Sequence, residues 1–137
     1  MNKIINTALV YAILGLAAGV FYREFTKLHD FTGNSTLATM HTHLLALGVL
    51  FFLLLLSLEK QLQVTTHKLY KYFYGFYNVG LGIVVLAFFV RGIMTVQGAA
   101  ISRGLNASIA GIAGIGHALL GTGIIIFIVL LKKRIKE

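Results

Sequence analysis

The chain has 137 residues, 58% hydrophobic and 12% charged, with a mean hydropathy of +0.86 and a formal charge of +8. Soluble domains carry about 25% charged residues, so a water-soluble globule is excluded and one membrane domain is expected. The sequence has no cysteine and no proline, which excludes disulfides, thiolate sites and proline-kinked helices.

Four apolar runs follow in chain order, each near the ~20 residues that cross a bilayer. The first covers about residues 4–22. Lys3, the apolar stretch and Ala17-Ala18-Gly19 also have the look of a signal peptide. Because the chain begins at Met1, a retained helix is the expectation. The second run covers 37–58, the third 69–97 and the fourth 107–131. None alternates polar and apolar residues, and a membrane span must satisfy its backbone internally. The predicted fold is therefore all-α, a transmembrane four-helix bundle in a single domain. Ser35 or Thr36 is placed to cap the second helix and Asn106 the fourth. The aromatic residues between Tyr70 and Tyr77 read as an interfacial belt. Gly15 with Gly19, and Ala110 with Gly114, form small-xxx-small pairs that allow close helix approach.

Charge sets the expected orientation. Lys3, Lys60, Lys68, Lys71 and the tail Lys132, Lys133, Arg134 and Lys136 fall on one side. Arg23, Lys27, Arg91 and Arg103 fall on the other. The positive-inside rule then puts both termini in the cytoplasm of a bacterial cell membrane. Basic residues split among short juxtamembrane segments do not make a nucleic-acid surface. The carboxylates Glu24, Asp30, Glu59 and Glu137 are read as loop or tail residues, which argues against ion-coupled transport. No hydrolase, phosphate-loop or covalent-haem motif is present.

Polar groups inside a span are costly and mark function. The candidates are His41, His43, Arg91 and His117, with Asn78 and Gln97 beside them. From the outer ends of their helices, His41 and His43 lie about 6–9 Å deep and His117 about 15 Å. Arg91 falls in the same half of the bilayer. Residues two apart on a helix diverge by about 200°, so His41 and His43 face different sites. Gly114 and Gly121 share the face of His117 and leave room for a large flat ligand. Haem b held by axial histidine fits that pattern, with Arg91 able to pair its propionates. A neighbouring helix packed on the glycines is the alternative. His29 and His67 read as solvated loop residues, and Asn78 as an interhelical hydrogen-bonding group. Tyr11 and Tyr22 stand where they could reach a haem edge.

The segment Met40-His41-Thr42-His43 through Gly48 resembles the His-x-His helix of haem-copper oxidase subunit I. In that family the two histidines serve two haems on opposite sides of one helix. Gly114-Ile115-Gly116-His117 is loosely similar to another of its haem-bearing helices. Subunit I is built from three pseudo-repeated four-helix groups, so the resemblance implies a homotrimer in which His41 and His43 of adjacent protomers share a haem. Pairing of His41 or His43 with His117 inside one bundle stays equally open. The copper-centre motifs have no counterpart here, so haem binding rather than oxygen reduction is implied. The chain is also similar to small four-helix bacterial membrane proteins of an uncharacterised family. The expected protein is a haem b-binding homo-oligomer, a trimer or dimer, in electron transfer, haem sensing or haem handling with an unspecified redox partner. A copper or other metal module using His41, His43 and His117 is the second reading, and a cofactor-free structural subunit the third.

Overall fold

The computed structural model describes residues 1–136, which form four long helices. They are α1 (Asn2–Leu28), α2 (Thr36–Leu62), α3 (Leu69–Val96) and α4 (Arg103–Arg134). Each is long and apolar enough to span a membrane. Leu9, Leu16, Val20, Leu50, Leu86, Ile115 and Ile125 point outward, more than half exposed. Apolar residues thus cover the outside as well as the core, the pattern of helices solvated by lipid rather than water.

Three of the four helices extend beyond the apolar runs, while α3 matches its run to within one residue. Polar residues at the ends continue the helical hydrogen bonding, so Glu24 sits exposed in α1 and Glu59 lies inside α2. The reading of every carboxylate as a loop residue is corrected for these two. Glu59 is buried at 8% exposure and accepts from the backbone N–H of Thr65 at 2.9 Å and from the Thr65 hydroxyl. It thereby holds the short 3-10 turn Val64–Thr66 that joins α2 to α3. Arg134 closes the same corner, donating to Leu62 O at 2.9 Å, Gln63 O at 3.0 Å and Thr66 Oγ1 at 2.8 Å.

Ser35 caps α2, accepting from the Leu37 N–H at 3.3 Å and donating to Gly92 O of α3 at 3.2 Å. Thr36 donates to Phe88 O at 2.8 Å. Together they pin the start of α2 onto α3. Ser35→Ala should lower stability by about 1 kcal/mol, read as a reduced thermal midpoint in detergent. Ser102, rather than Asn106, caps α4, accepting from the Leu105 N–H at 3.2 Å. The Nδ1 of His67 accepts from the Leu69 N–H at 3.1 Å, so this histidine steadies the start of α3 instead of pointing into solvent.

Neighbours pack in chain order: α1 on α2, α2 on α3, and α3 closely on α4. The α3–α4 contact runs through glycine. Gly80 faces Leu120 and Gly116, and Gly123 faces the Tyr77 backbone. The pair Ala110 and Gly114 lies on the exposed side of α4, so its predicted helix-packing role passes to Gly116 and Gly123. On α1 the expectation holds in part. An added Cβ on Gly15 would press into Leu45 of α2, while one on Gly19 would come no nearer than 3.9 Å to His41.

Between these contacts, α2 is not uniformly α-helical. Residues Leu44–Leu50 form a π-helical segment directly after His43. Gly48 stands in it, and an added Cβ there would overlap the ring of Tyr11 on α1. Tyr77 of α3 donates to Leu47 O in the same segment at 2.8 Å. Tyr77, Phe73 and Phe52 are fully buried, and Phe51 and Phe127 pack with them. The aromatic belt expected on α3 is therefore largely an interior cluster. Only Tyr72 and Phe76 of that group face outward, at 50% and 38% exposure. Stacked, tilted and edge-to-face ring pairs hold the interior cluster together.

Candidate functional site

The four predicted site residues divide into three places. His43 of α2 and His117 of α4 come together, their ring centroids 6.5 Å apart and their planes nearly perpendicular at 88°. Phe88 of α3 lies against both, 5.0 Å from His43 and 6.1 Å from His117. The cap of α2 on α3 sets this level, because Thr36 is bonded to Phe88 itself.

Both imidazoles have one nitrogen engaged. Nδ1 of His43 bonds Thr39 O at 3.0 Å, and Nδ1 of His117 bonds Ala113 O at 2.8 Å. A carbonyl only accepts, so each Nδ1 carries the hydrogen in the neutral ring. Nε2 is then the atom with a free lone pair. A metal-ligating histidine typically donates its other ring N–H to a partner of this kind, which fixes tautomer and orientation.

The surroundings of His117 are open. It is exposed, and added Cβ atoms on Gly114 and Gly121 would meet nothing within 4 Å. No other helix of the chain occupies that face. This side of α4 is therefore an open surface.

His41 stands apart. Its ring lies nearly parallel to Tyr22 of α1, 15° between planes and 6.5 Å between centroids, beside Gly19. Its Nδ1 is buried without a hydrogen-bond partner. The divergence of His41 and His43 follows from the regular α-helix that carries both, Thr36–His43. Arg91, one turn beyond Phe88 on α3, donates through Nη2 to Asn106 Oδ1 at 2.8 Å and Asn106 O at 3.3 Å. Its Nε is buried and unpartnered. Tyr11 donates to Asn78 Oδ1 at 2.7 Å, confirming Asn78 as an interhelical group and placing Tyr11 away from the histidines. His29 is exposed, its Nδ1 bonded to Phe25 O at 2.9 Å. Among the described residues, no group of three or more His, Cys, Asp or Glu side chains could hold a metal ion.

Sequence reasoning missed Phe88, the ring packed beside both histidines, since one phenylalanine among many carries no signal. It also missed the Tyr22–His41 stack.

The fold defines a class: a small, four-helix, multi-pass membrane protein. The chain belongs to the family described as "Protein of unknown function (DUF2871)", whose model matches residues 1–134. No curated protein matches the chain, and no solved structure does.

Proposed function

We propose that this protein binds haem b through His43 and His117 and serves electron transfer or haem sensing in a bacterial cell membrane. The observation carrying the reading is the paired imidazoles with both Nδ1 atoms engaged and Nε2 left free. Two imidazoles sharing one metal at about 2 Å per bond place their centroids roughly 6 Å apart, close to the 6.5 Å present.

The number of ligands favours haem over a bare ion. Structural zinc takes four protein ligands and catalytic zinc three, whereas haem brings four nitrogens of its own and needs only axial ligands. Two histidines without a third ligating side chain fit the second case better, and copper or another bare metal less well. The unpartnered Nε of Arg91 offers a donor for a propionate carboxylate. When bound, haem would supply a one-electron redox couple.

The excess of basic residues at one end supports cytoplasmic termini. The exposed glycine face around His117 also suits packing of a second copy, in keeping with a homo-oligomer. The decisive experiment is a visible spectrum of the purified protein, with and without added haemin. A red preparation with a redox-sensitive, bis-imidazole spectrum is expected. A protein that remains colourless with haemin would sink the reading and favour a structural role.

A further inference from the structure

A groove of about 300 Å³ runs along α3 beside α4, at the end of the molecule where α3 begins. Gly75, Phe76 and Val79 of α3 and Leu119 of α4 line it, and Lys71 and Tyr72 stand nearest the helix start. Gly75 makes the space. An added Cβ there would meet nothing within 4 Å, whereas at Gly80 on the same helix it would strike the α4 backbone. Glycine is a poor helix former, so Gly75 weakens α3 without serving any contact inside the chain.

The two ends of the groove differ in chemistry. Lys71 to Val79 spans about 12 Å of helix, most of one leaflet's share of a hydrocarbon core about 30 Å thick. Beyond Tyr72 the lining is wholly apolar. At the mouth, Lys71 Nζ lies over the Tyr72 ring, 4.9 Å from its centroid. Lys68, one turn earlier, is exposed on the same face. Among the described residues neither lysine forms an ion pair, and the Tyr72 hydroxyl makes no hydrogen bond. Glu59, the carboxylate nearest in sequence, is buried and bonded to Thr65. Positive charge is therefore left uncompensated at the head of an apolar trench.

We propose that this groove binds an anionic phospholipid of the leaflet next to the start of α3. Its phosphate meets Lys71 and the Tyr72 hydroxyl, and an acyl chain lies over Gly75 toward Val79 and Leu119. Basic pockets between membrane helices hold anionic headgroups in this way. A zwitterionic lipid fits less well, because its own ammonium would face Lys68 and Lys71. A second copy fits less well too, since in the same membrane it would bring its own basic end against this one. Neither His43 nor His117 lines the groove, so the site is independent of the haem reading.

The test is native mass spectrometry of the full chain, without haemin, released from detergent holding equal amounts of palmitoyl-oleoyl phosphatidylglycerol and phosphatidylcholine. Preferential retention of phosphatidylglycerol is expected. Gly75→Leu fills the trench and should retain one lipid fewer. Lys71→Gln should weaken phosphatidylglycerol about fivefold, the effect of one lysine near an anionic surface. Lys71 is exposed, so Lys71→Gln keeps the test informative if Gly75→Leu fails to fold. Equal retention of the two lipids by the parent chain overturns the proposal, as does unchanged retention in either folded variant. A lipid-free dimer that Gly75→Leu dissociates overturns it as well and assigns the groove to a second copy.

Discussion

His117→Ala is expected to weaken haemin binding at least about a hundredfold and to abolish the bis-imidazole spectrum, with the helical fold intact. A hundredfold loss corresponds to about 2.7 kcal/mol. The fold should survive because His117 is exposed, and its ring contacts are with His43 and Phe88 rather than with the buried core. His43→Ala should produce the same spectral loss, since an axial pair fails when either member is removed. His41→Ala is the discriminating variant. Its ring stacks on Tyr22 and faces α1, so the spectrum should persist. Spectroscopic titration with haemin, alongside circular dichroism for helix content, reads all three. If His41→Ala removes the spectrum and His117→Ala does not, axial ligation runs between protomers through His41 and His43, and the pairing within one chain is wrong.

Much of this geometry is legible from spacing. Four runs of membrane-crossing length give four helices, because apolar sequence in lipid has no other way to satisfy its backbone. The separation of His41 from His43 follows from 3.6 residues per turn, and the free face around His117 from glycines at i−3 and i+4. The pairing of His43 with His117 is less legible. It depends on the offset between α2 and α4, which Ser35 and Thr36 set by bonding to α3 carbonyls at Gly92 and Phe88. Such bonds connect residues more than fifty positions apart and leave no local pattern. The π-helical Leu44–Leu50 is hidden for a similar reason. Gly48 is visible in sequence, but only the Tyr11 ring pressed against it shows why the space is needed. The helix ends are misread because hydropathy stops where polar residues begin, while backbone hydrogen bonding continues through Glu59 and Arg134.

Gly80→Ala should destabilise the protein by about 2–3 kcal/mol, the cost of overpacking a tight contact. The added Cβ would lie 2.8 Å from Gly116 O and 2.9 Å from Leu120 Cα. These are backbone atoms, so no side-chain rotation relieves the overlap and α4 must move off α3. Gly82→Ala is the matched control on the same helix, with nothing within 4 Å of its new methyl group. It should be neutral or slightly stabilising, since alanine is the better helix former. Because α4 carries His117, Gly80→Ala should also impair haem binding, but only together with a lowered thermal midpoint. Gly114→Leu should do the reverse. Its Cβ enters open space beside His117, so the fold should hold while a bulky side chain fills the face left for a ligand or a second copy. Thermal unfolding measured together with haemin titration separates the two effects. Retained haem binding in a folded Gly114→Leu would show that the glycine-lined face of α4 is not part of the site.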